Sequence, residues 1–277
     1  MSSLIFRNWK LFLTFFILYL TASAVLLGVV NQSNYNTITS ALKSTDPNVW
    51  ARTFALFGAA VTGGLNPTAT ANGQLLAVIL GLVAWLTLVW LLRHIVNGAT
   101  VKLREGLYGG SAPLISTVLV VAFGLVQCIP LIAVAISYSA AVSTGLLNNG
   151  IEAMLYYGAA GLLVLLSLYW LTSTFIALIV VTLPGMYPLA AIRAAGDLVV
   201  GRRLRLILRL MWLFALVFVV WLVVLVPIIL LDDWLAIPWL PLVPVTILGL
   251  GTVSLIMAST YIYLLYRKLV DDDAKPA

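Results

Sequence analysis

The run RRLRLILR places Arg202, Arg203, Arg205 and Arg209 within eight residues. A guanidinium is planar, permanently charged, and can hold two phosphate oxygens through parallel N–H donors. Arg202, Arg205 and Arg209 recur at i, i+3 and i+7, one stripe of a helix. Leu204, Ile207, Leu208 and Met211 fall on the other side. The arginines can therefore snorkel to phosphates while the leucines enter lipid. Each basic residue near an anionic leaflet contributes on the order of 1 kcal/mol. Two uses fit this pattern: a specific site for an anionic lipid or phosphate, and a topological anchor. The anchor is the simpler.

A second set of residues could act inside a membrane. Gln127 and Cys128 precede Pro130, which interrupts the i→i−4 ladder and marks a kinked helix with a polar side chain at depth. Thr172, Ser173 and Thr174 form a hydroxyl cluster in another apolar run. Such groups more often bond across helices or to their own backbone than to a solute. An intramembrane polar cavity, if the fold holds one, is expected at Gln127, Thr172, Ser173 and Thr174.

Catalytic patterns are missing: GxxxxGK[ST], HExxH, GxSxG and CxxC do not occur. The single cysteine, Cys128, and single histidine, His94, exclude an internal disulfide and a Cys/His metal cluster built by this chain alone. The acids are Asp46, Glu105, Glu152, Asp197, Asp232, Asp233 and Asp271 to Asp273, all at expected loops or helix ends. None is placed to couple an ion through a bundle. The chain reads as a non-enzyme, with no catalytic, cofactor or metal residue to assign.

The elements that carry these residues follow from hydropathy. The chain is 63% hydrophobic and 9% charged, with a mean hydropathy of +1.12, too apolar for a soluble surface. Spanning helices of about 20 residues are expected over 11–30, 74–96, 113–142, 154–183, 211–231 and 242–266. The expected fold class is all-α: a single polytopic transmembrane bundle of six spanning helices with short interfacial amphipathic helices. On this map thirteen of the fifteen Lys and Arg lie on one side, and only Lys43 and Arg52 on the other. Positive loops stay cytoplasmic, so both termini are placed inside. The net charge of +6 is explained by this asymmetry rather than by a nucleic-acid partner. Arg7, Lys10 and the following apolar run up to Ala24 also fit a signal peptide, but apolar sequence continues to Val30 and favours an uncleaved helix.

Two amphipathic segments lie between the spans. In the outer loop 31–73, Trp50, Phe54, Phe57 and Val61 share one face of a helix expected over 48–61, lying in the outer interface. At 188–200, Ala191, Ile192, Ala195, Leu198 and Val199 share an apolar arc of a cytoplasmic interfacial helix stopped by Gly201, with Arg193 and Asp197 paired weakly at i, i+4 on the other side. Val101 to Gly110 and Ile192 to Gly201 both fit [VI]-[KR]-x4-L-x2-G. Each follows one span and precedes another, as a duplicated helix–elbow–helix unit would.

The stretch ALIVVTLPGMYPLAAIRAAGDLVVGRRLRLIL, with Leu198, Val199 and Gly201 in an "LVxG" step, resembles six-helix bacterial integral membrane proteins akin to the membrane domain of glycerophosphodiester phosphodiesterases. KLREGLYGGSAPLI, before the third span, is similar too, and the resemblance covers roughly residues 74 to 266. It implies a multi-pass protein of the bacterial cytoplasmic membrane, near lipid handling or envelope upkeep. No phosphodiesterase domain is expected within this chain, so no enzymatic role is implied. Two functions are expected: an envelope scaffold that organises lipid or partner proteins, or a transporter or flippase for a lipid or apolar solute. The partners implied are membrane lipids, anionic at the cytoplasmic face, and proteins that the sequence does not identify.

Overall fold

The computed structural model describes residues 7–27, 49–62, 71–148, 150–235 and 241–273. The first span's expected end at 28–30, most of the expected outer loop (31–48 and 63–70) and residues 236–240 lie outside them. Among the described residues there are helices and no strand. In lipid this is the economical solution, because a helix satisfies its own backbone. The helices are α1 (Trp9–Leu27), α2 (Val49–Thr62), α3 (Ala71–Val96), α4 (Leu103–Gly110), α5 (Leu114–Gln127), α6 (Ile129–Ser143), α7 (Gly150–Val180), α8 (Pro188–Val199), α9 (Arg203–Leu235) and α10 (Leu242–Asp273). α1, α3, α7, α9 and α10 are long and apolar enough to cross a membrane, and taking α4 with α5 as one span raises the number to six.

The expected third span, 113–142, divides at Cys128 into α5 and α6, of 14 and 15 residues. Cys128 keeps helical dihedrals (φ −81°, ψ −7°), and its N–H reaches the Gly124 and Leu125 carbonyls at 3.1 Å. The cause of the break is Pro130, which brings no N–H and crowds the preceding turn.

The chain gathers into two compact units, residues 1–112 with 212–261, and residues 113–211 with 262–277. In the first, α1 packs on α3 and α4 folds back along α3. The core of α3 is its second half, where Leu86, Leu88, Val89, Leu91 and Leu92 are buried. α4 approaches it through glycines. A Cβ on Gly106 would stand 2.9 Å from the Leu91 side chain, and one on Gly110 would stand 3.0 Å from the Leu86 carbonyl oxygen and the Thr87 Cα. Gly106 and Gly110 form a GxxxG pair, the spacing that lets two helix backbones come close. Lys102 N–H, just before α4, donates to Glu105 Oε2 at 3.3 Å and secures the helix start. Gly98, at φ +80°, makes the reversal between α3 and α4.

The same unit holds α2. Leu56 and Phe57 are buried with Trp221, Leu225 and Ile229 of α9 and Val243, Ile247 and Leu250 of α10. Phe57 meets Phe214, Phe218 and Trp221 edge-on, at centroid distances of 5.5, 5.0 and 5.3 Å. The helix expected over 48–61 is found at Val49–Thr62, but its aromatic stripe is divided. Phe57 is covered by protein, while Trp50 and Phe54 stay more than half exposed. Arg52 and Asp233 form an ion pair at 2.9 Å.

In the second unit, α5 and α6 lie against successive parts of α7, and α8 folds back on α7 and α5. The first half of α7 is largely exposed, with Ile151, Met154, Leu155 and Leu162 at 70% or more. Its second half is buried at Thr172, Thr174, Ile176, Ala177, Ile179 and Val180. α8 presents Ala191, Ala195 and Val199, each 0% exposed. The arc expected to face the interface is therefore covered by protein. Arg193 and Asp197 are both exposed, and no ion pair joins them among the described residues. Arg before Asp is the weaker order, and both ends keep their water.

The glycine contact generates a prediction. Gly110→Ala is expected to destabilise the protein by about 1–3 kcal/mol, because backbone atoms block its Cβ. Gly161→Ala, in α7 with nothing within 4 Å, is expected to be neutral or to gain up to about 1 kcal/mol of helix propensity. Thermal unfolding of both variants in the same detergent reads the contrast, and equal melting temperatures would refute the packing argument.

Candidate functional site

The four arginines sit where α8 gives way to α9. Val199 closes α8, Gly201 turns the chain at φ +75°, and α9 opens at Arg203. A non-glycine residue at that φ would carry steric strain, so the turn itself selects glycine. Arg202, Arg203 and Arg209 are half-buried and Arg205 is exposed. Leu206 is buried, whereas Leu204, Leu208 and Met211 are exposed at 73%, 63% and 51%. Arg202 lies in the turn before α9, Arg205 and Arg209 lie within the helix, and exposed leucines flank them.

Arg203 is fixed by an aromatic ring. Its Cζ lies 4.3 Å from the ring centroid of Tyr169 in α7, within cation–π range. Tyr169, Val200, Gly201, Arg203 and Leu204 line a cavity of about 300 Å³. Among the described residues no carboxylate lines it. The elbow therefore offers a guanidinium held from behind by a ring, a small cavity, and apolar side chains alongside, a combination suited to a phosphate carried on an acyl chain. Tyr169 was not singled out by the sequence. It is one of eleven tyrosines, and only the back-folding of α8 brings Arg203 to it.

The second candidate set is partly brought together. Thr174 Oγ1 donates to Gln127 Oε1 at 2.6 Å. Ser167 Oγ donates to the Gln127 carbonyl at 2.8 Å. Gly124, one turn before Gln127, lets Thr174 approach, since a Cβ there would stand 3.1 Å from Thr174 Cγ2. Thr172 and Ser173 instead donate to the Leu168 and Trp170 carbonyls of their own helix, at 2.7 and 2.8 Å. Ser167, fully buried, escaped the sequence reading. Its position, seven before Thr174 and hence on the same stripe of α7, was the available signal.

His94 Nδ1 lies 2.9 Å from the Trp90 carbonyl, so that nitrogen carries the proton and donates. The imidazole also stacks on the Trp90 ring at a centroid distance of 3.8 Å. Cys128 is half-buried, packed at the break. Among the described residues no group of three or more His, Cys, Asp and Glu side chains could hold a metal. Comparison with protein-family models, curated proteins and solved structures finds no match.

The Gln127–Thr174 bond should be measurable by a double-mutant cycle. Gln127→Leu with Thr174→Val is expected to show a coupling of roughly 0.6 kcal/mol, up to about 2 kcal/mol. Detergent unfolding of the two single variants, the double variant and the parent gives that value. A coupling of zero would mean that the two side chains do not share a bond.

Proposed function

We propose that this chain is a non-enzymatic, multi-pass protein of the bacterial cytoplasmic membrane with a scaffold or lipid-organising role. The observation that carries the proposal is the elbow between α8 and α9. There the Arg203 guanidinium rests on Tyr169 beside a cavity of about 300 Å³, with Leu204 and Leu208 exposed next to it. An anionic headgroup on the cations and an acyl chain along the leucines would satisfy both faces. Cytoplasmic placement of this elbow, and of both termini, rests on the charge asymmetry of the loops. Kinship with membrane domains of glycerophosphodiester phosphodiesterases is proposed on the same residues, and it favours a lipid-centred role.

Transport of a lipid or apolar solute is the second reading. It draws on the interruption of the α5–α6 path at Cys128, since discontinuous helices often flank transport sites. Against it, Gln127, Ser167 and Thr174 bond to one another across the helices.

Native mass spectrometry of protein released from its own membrane tests the lipid reading. The parent is expected to retain an anionic lipid at fixed stoichiometry, and Arg202→Ala/Arg205→Ala/Arg209→Ala to lose it. The same loose lipid on both would make the stripe an anchor only and redirect attention to protein partners. Orientation is tested separately by fusing a reporter that fluoresces only in the cytoplasm to the C-terminus. Fluorescence is expected, and a dark, folded fusion would invert the map.

A further inference from the structure

A further cavity lies away from the arginine elbow. It has a volume of about 550 Å³ and is lined by residues 7–11 at the start of α1 together with Ile95 and residues 98–101 between α3 and α4. Its size is that of a small-ligand site. Among the described residues its walls carry two cations, Arg7 and Lys10, and no carboxylate. Neither cation forms an ion pair among the described residues. Opposite them, the Thr100 hydroxyl and the Thr100 and Val101 N–H groups donate no hydrogen bond among the described residues. These donors stay open because Gly98 (φ +80°) turns the chain out of α3 and the next four residues run without helix before α4. The rest of the wall mixes the Asn8 amide with the apolar side chains of Leu11, Ile95 and Val101. Trp9, also lining the cavity, is 54% exposed.

We propose that this cavity is a second anion site, taking a phosphate group between Arg7, Lys10 and the open donors of Thr100 and Val101. Two cations facing neutral donors, with no acid between them, match a phosphate monoanion. The apolar wall extends the match to a phosphodiester carrying acyl chains, so a phospholipid headgroup is favoured over free phosphate. The inference deepens the lipid-organising reading and rests on it. The residues are distinct from the arginine elbow, so each site stands or falls by its own variants. The two would give the protein two headgroup contacts, each at a turn built on a left-handed glycine, Gly98 here and Gly201 at the elbow.

The test uses the full chain, stripped of lipid in detergent and titrated with phosphatidylglycerol, phosphatidylcholine or inorganic phosphate, with bound species resolved by native mass spectrometry. Three variants are compared. Arg7→Ala/Lys10→Ala removes the cations. Ala99→Trp fills the cavity from an exposed position and leaves both cations in place. Arg202→Ala/Arg205→Ala/Arg209→Ala disables the elbow. The parent is expected to bind two phosphatidylglycerol molecules. Removing both cations should weaken one of them about 30-fold. The filled cavity should weaken the same one, and the elbow variant should spare it. Inorganic phosphate that displaces this lipid confirms the shared chemistry, and phosphate binding without lipid binding assigns the site to free phosphate. If Ala99→Trp binds like the parent, the cations act as surface charge and the cavity proposal is overturned. If only the elbow lipid is present in the parent, this inference fails and the lipid-organising reading stands. If only the cavity lipid is present, the elbow fails and this inference stands. If no lipid and no phosphate is retained selectively, both fall.

Discussion

The structure depends on how closely two short helices approach two long ones. In lipid there is little hydrophobic drive between helices, because the acyl chains are as apolar as leucine. Association must come from close packing, and small side chains permit it. Gly106 and Gly110 bring α4 onto α3, and Ala191 and Ala195, with Val199, bring α8 onto α7. In each case the short helix turns back through a left-handed glycine, Gly98 or Gly185. The consequence reaches the candidate site directly. Because α8 lies along α7, its end falls beside Tyr169, and Arg203 starts the next helix on top of that ring.

The shared geometry does not follow the shared sequence pattern. Aligning Val101–Gly110 with Ile192–Gly201 sets Gly110 against Gly201. Gly110 is buried in a helix against the backbone of α3, whereas Gly201 is an exposed turn residue at φ +75° with nothing within 4 Å of its Cβ position. The buried positions Gly106 and Gly110 align with Asp197 and Gly201, not with Ala195 and Val199. The packed faces are out of register by two residues. A common physical demand, a short helix returning along a long one, accounts for the likeness of form better than the ten-residue pattern does.

Most of the helices were legible because hydropathy and length act on one element at a time. The span expected over 154–183 is found at Gly150–Val180, and the helix expected over 188–200 at Pro188–Val199. The helical wheel also named the buried residues of α8, since Ala191, Ala195 and Val199 all belong to its apolar arc. What a wheel cannot name is the surface that covers an arc. α8 meets α7 and α5. Phe57 meets Phe214, Phe218 and Trp221, about 160 residues away in sequence, while Trp50 and Phe54 on the same stripe remain exposed. The same limit applies at the candidate sites. The arginine stripe was readable from spacing, but the ring beneath Arg203 was not. Gln127 and Thr174 were both named, but their bond depends on the rotational phase of two helices, which hydropathy does not encode.

The break at Cys128 shows how the deep polar groups divide their work. Pro130 has no N–H, so the Val126 carbonyl loses its helical donor, and polar groups near such a break need partners, because an unsatisfied one in hydrocarbon costs several kcal/mol. Ser167 supplies a hydroxyl to the Gln127 carbonyl, and Thr174 supplies one to the Gln127 side chain. Both donors come from one stripe of α7, so a single packing contact holds Gln127 by its backbone and by its side chain. A helix interrupted to bind a solute leaves its freed groups facing a cavity. Here those contacts tie the broken path to its neighbour. Opening a route here would require replacing both bonds with solute or water contacts of equal strength.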